Sequence, residues 1–179
     1  VNVSELAGTV QIDEKTIRRY LYYLEQTFII KKLTPFYRNV RSEVTKAPIY
    51  YFIDTGLRNW LLGLFSLPEI PSPLSGHLFE NVIFNTMRGQ TELTPTHIHF
   101  WRTKDQAEVD FVMEKGLEVI PIEVKYTKLE STQTTRSFKS FLDKYQPEKA
   151  YVVHLGDNFK DSFKTTKINF LSYYQSAEI

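Results

Sequence analysis

The sequence contains no cysteine among its 179 residues. This absence excludes a disulfide framework, a metal site built from thiolates and a cysteine nucleophile. Hydrophobic runs are also short, because charge or proline interrupts them well before the roughly 18 apolar residues of a membrane span. No basic-then-apolar leader opens the chain, so the sequence does not indicate secretion. Together these absences predict a globular protein of the cytoplasm.

An excess of charge of either sign is missing too, since 22 lysines and arginines are matched by 21 aspartates and glutamates. Bulk electrostatics therefore predict no polyanion partner. The distribution is uneven, however, because residues 15–46 hold eight basic and two acidic side chains. This surplus predicts a surface that contacts DNA phosphates, although a solvated helix face followed by a basic loop explains it equally well. The basic residues are Lys15, Arg18, Arg19, Lys31, Lys32, Arg38, Arg41 and Lys46.

The clearest break in the chain lies at residues 67–73, where Pro68, Pro71 and Pro73 exclude both a helix and a central strand. It predicts two units, residues 1–66 and residues 67–179. The chain begins at Val1 with sequence typical of a folded domain, which favours a piece of a longer protein.

The first unit has the element order of a winged helix-turn-helix. A short helix at residues 4–7 precedes a second helix that Asp13 can cap and whose apolar positions begin at Ile17. Residues 28–33 and 49–53 then predict two paired strands joined by a basic loop. Such an α+β module can place its second helix in a major groove, and it can equally serve as a protein-binding module.

The second unit predicts an α/β domain with a mixed sheet. A helix at residues 76–88 is followed by strands at 97–102, 107–113 and 117–125. A helix at about 132–144 and a strand at 149–154 complete the order.

Four residues of this second unit carry the candidate chemistry: Glu80 on the helix, Asp110 on the second strand, and Glu123 and Lys125 on the third. Alternation along a strand puts Glu123 and Lys125 on one face, about 6–7 Å apart at the backbone. Apolar residues surround Glu123 on this strand, so a charge there is favourable only if it is paired or bound to a cation. Carboxylate oxygens are hard ligands that suit Mg²⁺ or Mn²⁺. Glu108 is a possible substitute for Asp110. The alternative is a strand-end ion pair between Glu123 and Lys125.

The order of these residues resembles the PD-(D/E)xK restriction-endonuclease-like nuclease superfamily. The resemblance rests on Glu80 and on residues 108–111 and 122–125. It implies a restriction-endonuclease-like mixed sheet flanked by helices, preceded here by the winged-helix-like module. It also implies Asp110 and Glu123 as metal ligands, Lys125 as the catalytic lysine and Glu80 as the helix acid of the metal site. Val109 replaces the proline of the superfamily's name and leaves the acid in place.

More narrowly, most of the chain resembles the uncharacterised C-terminal domain of predicted prokaryotic AAA+-type ATPases. Residues 51–57, 78–81 and 102–104 add to the motifs already named. The resemblance implies an N-terminal ATPase domain as a partner within a longer protein, and this sequence has no Gly-rich Lys-Ser/Thr loop for ATP. The expected function is a Mg²⁺-dependent DNA phosphodiesterase, or else a catalytically silent nuclease-fold module that binds DNA or docks a protein and regulates the ATPase. Homo-oligomers are compatible with either function.

Two further sets of residues have less specific patterns. Arg102 and Lys104 precede the candidate site and could hold a phosphate, although exposure in a hairpin explains them equally well. His97 and His99 alternate on one strand face, but no further histidine is near them in sequence, so exposed strand positions explain them better than a metal site does.

Overall fold

The structure is a computed structural model that describes residues 1–38 and 47–179. The helices are α1 (Val3–Val10), α2 (Glu14–Gln26), α3 (Thr55–Leu61), α4 (Leu74–Thr91) and α5 (Arg136–Tyr145). The strands are β1 (Ile30–Pro35), β2 (Ile49–Phe52), β3 (Thr96–Arg102), β4 (Glu108–Lys115), β5 (Glu118–Val124), β6 (Lys149–His154), β7 (Phe159–Phe163) and β8 (Thr166–Ser172). Short 3₁₀ segments lie at Leu64–Ser66 and Tyr173–Glu178.

All eight strands form one mixed sheet in the order β2-β1-β3-β4-β5-β6-β8-β7. The central strands β3, β4 and β5 run antiparallel to one another, whereas β6 lies parallel to β5 and β8 parallel to β6. The predicted α/β architecture with a mixed sheet is therefore confirmed. β5 is buried at five consecutive positions, which fits a strand covered on both faces.

The sheet is covered by a separate hydrophobic cluster on each face. One cluster centres on Trp101, Phe138 and Phe141 and includes residues of α5. The other includes Phe84 of α4 and Phe111 of β4. Most of the phenylalanines in these clusters are almost fully buried, so core packing accounts for much of the aromatic content.

The two strands of the first unit pair antiparallel as predicted, with Ile30 opposite Phe52 and Leu33 opposite Ile49. β1 also pairs in parallel with β3, so the sheet continues across the expected division between residues 66 and 67. Leu33 is buried in the same cluster as Phe111, which explains why the strand pair joins the large sheet.

Helix α2 begins as predicted, because the Asp13 side chain accepts a hydrogen bond from the Thr16 amide at 2.9 Å. Its expected apolar stripe is only partly buried. Ile17 is in the core, whereas Tyr20 is 49 % exposed and Leu24 is 36 % exposed. Ile17 is therefore the one fully buried residue of this helix.

Helix α4 is attached to the edge strand β2 through one buried amide. The Asn81 side chain accepts a hydrogen bond from the Phe52 amide at 3.1 Å and donates to the Phe52 carbonyl at 2.7 Å. Asn85 also donates to the Phe52 carbonyl at 3.0 Å. Because Glu80 is adjacent to Asn81, this attachment sets the position of Glu80 relative to β2.

In the part of the chain that the structure describes, no helix has the length and apolar character needed to cross a membrane.

Candidate functional site

The candidate site lies where β4 begins and β5 ends. The two strands pair antiparallel, with Phe111 opposite Ile122, so Asp110 and Glu123 belong to the same end of the sheet. Lys125 follows the last residue of β5, and its amide donates to the Val153 carbonyl of β6 at 2.8 Å. The backbone on both sides of the site is therefore held by the sheet.

Asp110 is partly buried at this sheet end, and its Oδ2 accepts a hydrogen bond from the Val124 amide at 2.7 Å. Burial and the charge of Glu80 raise the pKa of Asp110 to about 8. Glu123 raises that pKa further, while the Val124 amide and Lys125 lower it. The four predicted residues are therefore close enough for each of the other three charges to act on Asp110.

Glu80 projects from α4 toward this end and accepts a hydrogen bond from the Tyr51 hydroxyl of β2. Burial raises the pKa of Glu80, and the Tyr51 hydrogen bond and His77 oppose that change. Burial and Glu80 also raise the pKa of Tyr51. Tyr51 is therefore a protonated donor that fixes one carboxylate oxygen of Glu80.

Glu123 and Lys125 form an ion pair, with Lys125 Nζ 2.7 Å from Glu123 Oε1. The Glu123 side chain is 6 % exposed, whereas that of Lys125 is 33 % exposed. Glu123 Oε2 is buried and has no hydrogen-bond partner among the described residues. A buried carboxylate oxygen without a partner is costly, and a bound cation would remove that cost.

A cavity of about 560 Å³ opens beside Asp110 and Glu80. Its titratable lining comes from β2, α3, α4, β3 and β4 and comprises Tyr50, Tyr51, Arg58, His77, Glu80, Arg102, Glu108 and Asp110. Arg102 pairs with Glu108 within this lining. Arg58 donates to its neighbour Asn59 at 3.0 Å, and burial lowers the pKa of its guanidinium. The cavity lining thus combines carboxylates with cationic side chains, and it does not include Glu123 or Lys125.

The donors present fit a magnesium-class ion held by two carboxylates. In residues 1–38 and 47–179, no three His, Asp or Glu side chains are arranged to hold a metal together. Mg²⁺ does not require three, since it is usually bound through one or two carboxylates, with water and substrate phosphate at its other positions. Asp110 and Glu123, whose Oε2 has no partner among the described residues, are the two carboxylates that could hold such an ion.

The basic residues predicted for nucleic acid do not form one patch with this cavity. Arg18 on α2 pairs with Glu14 at 3.1 Å, and Arg19 is exposed beside it. Lys31 and Lys32 are exposed on β1. Arg38 donates to the Leu117 carbonyl at 2.8 Å, in the turn between β4 and β5 at the opposite end of β4 from Asp110.

Of the remaining predicted contacts, only Arg102 lines the cavity. Lys104 is exposed in the turn between β3 and β4. Arg41 and Lys46 lie outside the described residues. Lys15, at the start of α2, is exposed on the surface.

Sequence reasoning did not predict the roles of Tyr51, Arg58 and His77. Tyr51 belongs to residues 51–57, on which the family resemblance partly rests, but the sequence assigns it no contact with Glu80. A buried tyrosine hydroxyl needs a hydrogen-bond partner, and this requirement is the signal that could have indicated a polar contact for Tyr51. Arg58 and His77 come from α3 and α4, and no sequence spacing predicts that they line one cavity with Asp110.

A family model described as "Domain of unknown function (DUF4143)" matches residues 75–174, which is more than half of the chain. The chain belongs to the DUF4143 family. The matched range contains Glu80, Asp110, Glu123 and Lys125, so the whole candidate acid cluster belongs to the DUF4143 domain. A second model, "Domain of unknown function (DUF8612)", matches residues 1–67, which supply Tyr51 and Arg58 to the cavity.

Three bacterial proteins are similar to this DUF4143 chain. Uncharacterized proteins of Mycobacterium bovis and Mycobacterium tuberculosis are each 29 % identical to it over 156 residues, covering 87 % of the chain and 34 % of the relative. An uncharacterized protein of Haemophilus influenzae is 23 % identical over 185 residues, covering 100 % of the chain and 38 % of the relative. The chain thus spans about a third of the length of the curated relatives that it matches.

Proposed function

We propose that the DUF4143 domain is a Mg²⁺-dependent phosphodiesterase that acts on DNA. The observation that carries the proposal is the buried, unpartnered Oε2 of Glu123, next to the partly exposed amine of Lys125. The raised pKa of Asp110 supports it, because a carboxylate held among like charges gains most from a nearby cation.

The order of the central elements supports the restriction-endonuclease-like fold on which the proposal depends. Helix α4, the antiparallel strands β3, β4 and β5, helix α5 and the parallel strand β6 follow one another along the chain. This is the order predicted from the hydrophobic pattern, and it is compatible with the mixed sheet flanked by helices that the resemblance to the PD-(D/E)xK superfamily implies. Fold alone does not specify a reaction, so the argument for catalysis rests on the side chains of the site.

In this proposal Asp110 and Glu123 hold the metal ion. The ion, when bound, polarises the scissile phosphate and lowers the pKa of a bound water. Lys125 would exchange its contact with Glu123 for one with the reacting phosphate, whose growing negative charge it stabilises. Arg58 and His77 would bind the substrate's neighbouring phosphates at the cavity rim. Tyr51 keeps Glu80 oriented toward the same space.

The test is cleavage of supercoiled plasmid DNA by the purified chain. We expect nicking with Mg²⁺ or Mn²⁺ and none after EDTA treatment, because the proposal assigns to the metal ion the polarisation of the scissile phosphate and the activation of the attacking water. Glu123→Gln should reduce nicking to background. The matched control is Glu118→Gln, on the same strand but at its other end, where Glu118 pairs with Lys149 at 3.1 Å. Equal nicking by the Glu123→Gln variant and the parent chain would contradict the proposal.

A second candidate is a catalytically silent module that binds DNA or docks a protein. It is favoured by the internal partners of the acids, since Glu80 contacts Tyr51, Asp110 contacts the Val124 amide and Glu123 contacts Lys125. For this candidate no cation should alter plasmid integrity. Removing charge at Arg18 and Arg19 should weaken DNA binding, and the binding should weaken as salt rises.

We propose further that this domain acts within a longer protein together with an ATPase domain. The support is the sequence resemblance stated above and the length of the relatives, of which the chain spans 34–38 %. Either candidate function is compatible with that arrangement.

A further inference from the structure

A second cavity lies between β1 and β3, at the other end of β3 from Arg102. β1 and β3 pair only at Thr34 with His99 and at Pro35 with Phe100. Residues before these pairs on both strands line a cavity of about 320 Å³, here called the β1–β3 cleft. Its volume falls within the range of small-molecule sites.

The cleft has an apolar floor. Leu33 and Phe84 are 2 % exposed, and Ile98 packs against the same core cluster. Its sides carry threonine hydroxyls, of which Thr91 Oγ1 donates to the Met87 carbonyl and Thr94 Oγ1 to the Thr91 carbonyl. Because these hydroxyls already use their protons, their oxygens remain acceptors for hydroxyl groups of a ligand.

The rim of the cleft is cationic. Lys31, Lys32 and Arg88 line it, together with a single carboxylate, Glu92. Arg88 Nη1 is 3.0 Å from Glu92 Oε2, but Arg88 Nε is buried and without a hydrogen-bond partner among the described residues. The guanidinium is therefore only partly satisfied by the protein, and its side chain, which is 21 % exposed, can donate from its accessible nitrogens to a ligand oxygen.

We propose that the β1–β3 cleft binds a phosphorylated small molecule the size of a mononucleotide. Lys31, which shares the α4 face of the sheet with Leu33, and Arg88 would hold the phosphate, while Lys32 on the other face of β1 adds to the local positive potential. The apolar floor would contact the body of the ligand, and the threonine oxygens would accept from its sugar hydroxyls. The cleft shares no lining residue with the cavity of Asp110 and Glu80, so this inference is independent of the proposed nuclease activity.

Titration calorimetry of the chain with AMP, adenosine and inorganic phosphate, in EDTA at low ionic strength, tests the proposal. We expect saturable binding of AMP, and binding of adenosine and of phosphate about tenfold weaker or more, since each lacks half of the contacts. The double variant Lys31→Gln/Lys32→Gln should weaken AMP binding about tenfold. Glu92→Gln should strengthen it several-fold, because it releases Arg88 from its carboxylate partner.

Two controls locate the binding. Lys160→Gln removes an exposed lysine of β7, far from the cleft in the sheet order, and should leave AMP binding unchanged. Asp110→Asn alters the other cavity and should also leave it unchanged. No saturable AMP binding, equal binding of AMP and phosphate, or loss of AMP binding in Asp110→Asn but not in the double lysine variant would overturn the proposal.

Discussion

Lys125→Met is expected to lower Mg²⁺-dependent DNA cleavage by about 100-fold or more, the usual effect of removing one group that stabilises transition-state charge. Lys125 contacts one of the two proposed metal ligands directly, since its Nζ is 2.7 Å from Glu123 Oε1. DNA affinity should stay close to that of the parent chain, because Arg58 and Arg102 still line the cavity. Cleavage rates and filter-binding titrations measure the two effects separately.

The matched control for this result is Lys128→Met. Lys128 is exposed three residues further along the chain, so its loss removes the same charge without touching Glu123. The Lys128→Met variant should cleave DNA at the same rate as the parent chain. If Lys125→Met and Lys128→Met cleave at the same rate, Lys125 has no catalytic role.

Asp110→Asn is expected to raise the melting temperature at about pH 8.5 and to change it much less near pH 5. Burial and Glu80 raise the pKa of Asp110 from 3.8 to about 8, so the folded protein binds a proton more tightly than the unfolded chain does. Stability from this group is therefore fully present below about pH 4 and is lost as the pH rises toward about 8. Asparagine carries no charge and avoids that loss.

The size of this effect follows from the difference between the two pKa values. Each pKa unit corresponds to about 1.4 kcal/mol, and because Asp110 is partly exposed we count half of the difference, about 3 kcal/mol. For a chain of this length, that free energy corresponds to a rise in melting temperature of about 6 °C or more. The measurement is thermal unfolding in EDTA at both pH values, with the exposed Asp161→Asn on β7 as control. If Asp110→Asn raised the melting temperature at pH 5 as much as at pH 8.5, the raised pKa of Asp110 would be contradicted.

The sequence was sufficient to predict most of the central elements. Strand β6 is found at Lys149–His154, where hydrophobic periodicity placed it, and α4 extends the predicted helix by a few residues at each end. These segments succeed because their apolar residues recur at the period of one structure and are buried in one core. The antiparallel order of β3 to β5 followed from the short turns between them.

The last hairpin was not predicted. β7 and β8 pair antiparallel around Lys164, which has a positive φ of 55°. The sequence does carry a signal for β8, because Ile168 and Phe170 alternate with polar residues and both are nearly fully buried. β7 itself is mostly exposed and polar, so no hydrophobic pattern identifies it before its pairing with β8 is known.

The acid cluster could be predicted only in part. Strand alternation and hairpin pairing bring Asp110 and Glu123 to one end of the sheet, and both follow from local sequence. The contact between Tyr51 and Glu80 depends on how α4 packs against the edge strand β2 through Asn81. Such long-range packing leaves no regular spacing in the chain.

The central claim is that Asp110 and Glu123 share one divalent cation. The most direct measurement is anomalous diffraction from crystals of the chain soaked in millimolar Mn²⁺. We expect a single strong peak in contact with both carboxylates, and no such peak in Glu123→Gln crystals treated identically. Absence of a peak at these two residues, or a peak that persists in Glu123→Gln, would contradict the claim.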